Sequence, residues 1–271
     1  MHGSSRSAAA AVENTFQGVL DGEVDRARLA EDLFGISDAL DGTVALRRAV
    51  ADPSREGEPK AELVERLFAG RVGPEALVVA KAAARQRWSE EHDLTDTLES
   101  LAVGAVVASA EKAGRADQLE DELFRFERIV AGNPQLRDSL TDRRSDPQGK
   151  DQLVSELLEG RATAETVRLV RQAVRVPRGR RFDQVLDGYL AVASRRREQL
   201  AATVISAVAL DERQRERLAT ALSGYYGGKD IHLNTIIDPS VIGGIRVEIG
   251  DDVVDGTILR RLDAAKLHFG A

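Results

Sequence analysis

The sequence predicts a mainly α protein: two tandem helical bundles, residues 1-95 and 96-200, followed by a small C-terminal α/β sheet domain, residues 201-271. Three observations predict it. Shifted by 90 positions, Leu29 to Arg85 aligns without gaps on Leu119 to Arg175, with 16 identities in 57 positions, where chance gives about four. Helix-breaking residues fall at matching places in both stretches. After Leu200 the apolar period changes from helical to alternating.

Taken in order, Val12, Phe16, Val19 and Leu20 form one apolar stripe, and Leu29, Leu33, Ile36 and Leu40 another. Short helices follow near 44-51, 59-69 and 74-87, separated by Asp52-Pro53, Gly57, Gly70 and Gly73-Pro74. The second stretch is punctuated by Gly132-Asn133-Pro134, Pro147, Gly160 and Pro177. Identical pairs include Leu33 with Leu123, Phe34 with Phe124, Lys60 with Lys150, Leu63 with Leu153 and Gly70 with Gly160. A period of this length is domain-sized, not that of a solenoid. Between Asp93 and Lys112 there is neither proline nor a loop-like cluster, so the last helix of the first bundle is expected to run into the first helix of the second.

In the tail, "ATVISAVAL" reads as a strand. Asp211 caps a helix that presents Leu218, Leu222 and Tyr225 on one face, and Ile231, Leu233, Thr235 and Ile237 alternate as a second strand. Asp238-Pro239-Ser240 then starts a turn, and Gly243-Gly244 tolerates backbone angles closed to other residues. Ile245, Val247 and Ile249 alternate with Arg246 and Glu248, and Gly250-Asp251 suits a two-residue hairpin turn back through Val253 and Val254. A last helix starts near 255-257 with Ile258, Leu259 and Leu262, completing β-α-β-β-β-α.

Composition limits the function. Net charge is −7 and the pI is near 5.3, which argues against bulk affinity for nucleic acid or an anionic membrane. There is no cysteine, hence no disulfide, thiolate nucleophile or cysteine metal site. The N-terminus lacks the charged and apolar pattern of a signal peptide. The least polar stretch, Leu101 to Ala110, is roughly half the ~20 residues of a membrane span. His2, His92, His232 and His268 are scattered, and "GGIRVEIG" lacks the Lys-Ser/Thr of a phosphate loop. No catalytic residue, cofactor or metal site is expected. One charge feature does stand out: Arg161 to Gln199 carries +6, while the stretch 90 positions earlier carries −2. Arg168, Arg171 and Arg175 share a helix face and are candidate partner-docking residues, with Val167, Val170 and Val174 turned to the core. A nucleic-acid-binding adaptor using Arg168 to Arg197 is the alternative, although that region lacks interleaved aromatics.

The segment "IIDPSVIGGIRVEIGDDVVDGTILRRL" resembles the C-terminal signature of the delta subunit of bacterial F-type ATP synthase, the counterpart of the oligomycin-sensitivity-conferring protein. Asp238, Pro239, Ser240, Gly243, Gly244, Gly250, Asp251, Asp255, Gly256, Thr257, Arg260 and Leu262 occupy its places. Upstream, Lys112-Ala113-Gly114 and Asn133-Pro134 with Leu136-Arg137 are similar to that family's helical bundle, so the resemblance covers about 105-271. It implies a non-catalytic stator subunit that joins the catalytic head, through its alpha subunits, to the b-type subunits of the peripheral stalk. Proton-driven rotation is thereby coupled to ATP synthesis. It further implies a peripheral place on the cytoplasmic face of the membrane, held there through the complex, with no nucleic acid bound. The first hundred residues depart from the family pattern, which has one bundle before the sheet.

Overall fold

A computed structural model of the chain describes residues 3-142, 144-199, 201-225, 231-241, 243-249 and 252-256. The chain divides into two compact units, Met1–Ala193 and Ser194–Ala271. The architecture is mainly helical with a small C-terminal α/β unit, as the sequence predicts.

The first unit begins with α1 (Gly3–Leu20), α2 (Arg26–Gly42), α3 (Val44–Ala51), α4 (Gly57–Phe68), α5 (Pro74–Arg85) and α6 (Glu91–Lys112). It continues through α7 (Ala116–Gly132), α8 (Pro134–Thr141), α9 (Pro147–Leu158), α10 (Ala164–Arg175) and α11 (Phe182–Gln199), within which the division falls. Each bound of α7 to α10 lies 90 residues after its counterpart in α2 to α5. The local causes also correspond. Gly70 and Gly160, at φ 74° and 71°, end α4 and α9 in the left-handed conformation that favours glycine. The Asp32 carboxylate on α2 accepts the Gly73 N–H at the start of α5, at 2.8 Å. Glu122 on α7 accepts the Thr163 N–H at the start of α10, also at 2.8 Å. Each carboxylate satisfies a donor that a helix N-terminus would otherwise leave open.

α6 is a single uninterrupted helix through residue 95, and it is buried on nearly every side. Its buried Thr95, Leu98, Ala102, Val106 and Ala110 stand 90 residues after the buried Ser5, Ala8, Val12, Phe16 and Leu20 of α1. Leu94, Leu101, Val103 and Val107 fill its other faces. It therefore serves as the last helix for α1–α5 and the first for α7–α11. An all-round apolar helix of this kind needs neighbours on every side.

The matched aromatics do not sit alike: Phe34 is 1% exposed and Phe124 53%. The Arg168 guanidinium covers Phe34, 4.5 Å from the ring centroid, whereas α7 has no such cover among the described residues. Leu63 and Leu153 are both half-buried against the core.

In the second unit, among the described residues, β1 (Ala201–Ser206), α12 (Glu212–Tyr225), β2 (His232–Ile237), β3 (Ile245–Ile249) and β4 (Asp252–Asp255) form a sheet of order β2-β1-β3-β4 with one helix. β1 and β2 are parallel, joined through α12, and the other pairs are antiparallel. Asp211 caps α12, accepting the Gln214 N–H at 2.8 Å. Ala202, Val204, Leu222, Ile231, Val247 and Ile249 form the core. Tyr225, expected on the core face of α12, is exposed, at the end of that helix. Ile237 is exposed because β2 is an edge strand.

The signature residues shape the β2–β3 connection. Asp238 accepts both the Ser240 N–H at 2.9 Å and its hydroxyl at 2.7 Å, closing a turn around Pro239. Those bonds hold the Asp238 carboxyl below the usual carboxylate range. Gly243 and Gly244 have φ 67° and 82°. Ile249 pairs with Asp252, and Arg246 with Asp255, in a hairpin register. Gly256 N–H extends that ladder to the Ile245 carbonyl at 2.9 Å, and a Cβ there would stand 3.1 Å from the same oxygen. Gly250, Asp251 and the expected last helix, with Thr257, Arg260 and Leu262, lie outside the described residues. Gly243→Val or Gly244→Val should destabilise the sheet unit by about 1–2 kcal/mol. Urea unfolding of the full chain checks this, and an unchanged midpoint for both variants contradicts the tight-turn reading.

Candidate partner-docking site

Helix α10 starts where Thr163 accepts the Thr166 N–H at 3.2 Å. Its apolar side, Leu169, Val170, Ala173 and Val174, enters the core, with Val167 half-buried beside it. The opposite side carries the three candidate arginines, and the structure gives each a different setting. Arg168 turns to α2, pairing with Glu31 and lying over Phe34. Arg171 donates to the Ser155 hydroxyl at 2.5 Å. Arg175 is half exposed and 3.8 Å from Asp151.

The corresponding cations on α5 are more completely neutralised. Lys81 meets Glu65 at 2.6 Å, and Arg85 meets Glu58 at 2.8 and 2.9 Å. Ninety residues later, Glu65 and Glu58 are replaced by Ser155 and Gln148. The charge excess of α10 is thus a property of its neighbour helix as well as its own sequence.

Two further members of the basic region, Arg178 and Arg180, are spent internally, which sequence reasoning missed. Beyond α10, Arg178 adopts φ 51° and Gly179 φ 77°, and the Arg178 side chain reaches α2 and α6. There its guanidinium meets Asp41 at 3.2 Å, Asp96 at 3.1 Å and Glu99 at 3.0 Å, and it also donates to the Thr95 hydroxyl. Arg180 holds Glu99 at 2.6 Å, and the buried Tyr189 hydroxyl donates to the same carboxylate at 3.1 Å. Gln172 adds bonds of 3.2 Å to Asp38. Burial and the Glu99 charge push the Tyr189 phenol well above its usual range. Burial raises Asp96 despite the attraction of Arg178 and Arg180. At Asp41 burial also acts upward, but the Arg178 bond and charge outweigh it, so the carboxyl lies below its ordinary value. The only legible signal for this network was the Pro177-Arg178-Gly179 turn together with the acidic run Asp93 to Glu99.

A helical unit with a residual basic face and a separate turn-rich sheet unit define an adaptor-type subunit, a protein that works by docking. The match to known proteins fixes which. The family model for the ATP synthase delta (OSCP) subunit matches residues 103–269. "ATP synthase subunit delta" of Kineococcus radiotolerans is 47% identical over 97% of this chain and 96% of its own length. The proteins of the same name from Streptomyces avermitilis and Acidothermus cellulolyticus are 44% and 42% identical, covering 98% and 95% of this chain and 97% and 95% of their own lengths. The chain belongs to the ATP synthase delta (OSCP) subunit family. It is accordingly a non-catalytic stator subunit of the F-type ATP synthase, linking the catalytic head to the peripheral stalk. The family model begins inside α6, whereas these relatives match almost the whole chain, so the first hundred residues are common to them. Among the described residues no helix is long and apolar enough to cross a membrane.

Removing one partner of a buried ion pair strands the other charge, so Arg178→Met should cost about 3–5 kcal/mol in denaturant unfolding. Pairing it with Glu99→Gln should recover part of that loss. The two shifted aspartates predict opposite pH slopes. Asp41, depressed in the folded state, contributes stability above its unfolded pKa that is lost as pH falls through its folded value. The penalty of Asp41→Asn should therefore shrink on acidification. Asp96, raised in the folded state, destabilises as pH climbs through its folded value. Asp96→Asn should thus gain on the parent chain with rising pH in the acid range, measured by thermal midpoints.

Proposed function

We propose that the two helical bundles arose by duplication and divide the stator's work, the second docking on the alpha subunits of the catalytic head through α10. The sheet unit then meets the b-type subunits of the peripheral stalk on the cytoplasmic face. The observation that carries this is the exchange of Glu65 and Glu58 for Ser155 and Gln148, which leaves Arg171 on a neutral hydroxyl and Arg175 in a looser pair with Asp151, where Lys81 and Arg85 are held in close ion pairs. Folding alone gives no reason for that divergence. The 90-residue offset of four successive helices supports the duplication, with α6 shared between the two bundles. One chain that engages both partners gives each contact an effective concentration near millimolar.

Arg168 is excluded from the docking test because Glu31 and Phe34 hold it. Arg171→Glu with Arg175→Glu should weaken binding to the isolated head in a salt-dependent way, with an unchanged thermal midpoint. Lys81→Glu with Arg85→Glu should not weaken it. Equal losses from both pairs, or from neither, contradict the division of labour. Deleting residues 201-271 should leave the helical unit folded and ATP hydrolysis by the head intact, but abolish ion-driven synthesis in the reconstituted enzyme. Retained synthesis would place both contacts on the helices.

A further inference from the structure

The two bundles close differently at one end. In the first, three buried side chains, from α3, α4 and the α5–α6 connection, bond to the backbone nearby. Trp88 is 3% exposed and its indole N–H donates to the Ala83 carbonyl at 2.9 Å. Lys60 is 1% exposed and its ammonium donates to the Gln86 carbonyl, just past α5, at 2.7 Å. Arg47 is buried, donating to the Asp41 carbonyl at 2.7 Å.

Ninety residues later stand Arg178, Lys150 and Arg137, whose contacts differ. Arg178 is drawn away to Asp41, Asp96 and Glu99. Lys150 has no side-chain partner among the described residues, and Arg137 is half exposed with only the adjacent Asp138, 3.8 Å away. What remains is a cavity of about 800 Å³. Ala173, the counterpart of the alanine beneath the indole, lines it together with Leu140, Val174 and Phe182. Arg137, Lys150, Arg175, Arg180 and Arg181 surround it, against only Glu127 and Asp183.

We propose that this cavity is a docking site for a peptide segment of a partner protein that inserts an aromatic side chain where the first bundle buries Trp88 and sets carboxylates against Lys150 and Arg137. The aromatic anchor follows from the plug that the second bundle lacks and from the apolar floor it leaves. The acidic flank follows from the charge balance of the rim. An unpaired ammonium beside an apolar hollow gains from a carboxylate that arrives with its own desolvating cover. The proposal does not rest on the α10 docking reading, since its test uses this chain alone with a peptide.

The probe is a dye-labelled helical peptide bearing one tryptophan among glutamates, titrated into the full-length chain by fluorescence anisotropy. Binding to the parent chain is expected, with at least about a tenfold loss in Lys150→Glu and in Arg137→Glu and no change in thermal midpoint. Ala173→Phe, which fills the hollow from within, should also abolish it, and so should replacing the peptide's tryptophan by alanine. Lys60→Glu is the wrong control because Lys60 is buried, so Arg55→Glu, the exposed cation paired with Asp52, serves and should leave binding unchanged. Absence of binding to the parent chain, or binding indifferent to both charge reversals, overturns the proposal. Equal displacement by free ATP, another aromatic anion, overturns it too, because the site would then be a small-molecule pocket.

Discussion

Helix α6 is the constraint on which the helical unit depends. A single helix of 22 residues presents apolar or small side chains on nearly its whole circumference, and helices from both α1–α5 and α7–α11 pack on it. An isolated helix with this composition would expose a continuous apolar surface, and α2 and α10 are among the elements that cover it. Because α1–α5 and α7–α11 share that one element, neither set has a self-contained core. The buried residues from Ala8 to Ala193 accordingly form one cluster.

Around that shared apolar axis, specificity is supplied by ions. Arg178, Arg180 and Tyr189 converge on Glu99 of α6, while Arg168 and Gln172 reach α2. Buried ion pairs add little net stability when compared with apolar packing, but they penalise any arrangement that leaves a charge unmatched. Here they bridge two similar sets of helices. The same network has a second effect: by recruiting Arg178 away from the place where Trp88 sits in the first set, it leaves the second set open at that end.

The sheet unit is built on a different economy. Its core is small, and its edge strands leave Ile236, Ile237, Val253 and Val254 exposed. Turn chemistry therefore carries much of its definition: the Asp238 turn, two glycines at positive φ and the Gly256 ladder bond fix how β3 and β4 follow β2. These are the residues that carry the family resemblance, and in this structure their roles are geometric.

Much of this was legible in the sequence because it follows from local spacing. Helical and alternating periods, capping residues such as Asn133 and Asp211, and the helix-ending Gly70 and Gly160 are written within a few residues of where they act. The uninterrupted run from Asp93 to Lys112 likewise announced one long helix, and the glycine pair announced its turn. What the spacing of charges could not decide was which of them would be spent inside. Arg168, Arg178 and Arg180 read in sequence as a basic face, yet their partners Glu31, Asp41 and Glu99 lie about 80 to 140 residues away. Only tertiary packing brings those charges together, since Coulomb attraction and desolvation act through space and carry no local signature. For the same reason Phe34 and Phe124, each following a leucine at matched positions of the repeat, end one buried and one exposed: Arg168 of another helix covers the first.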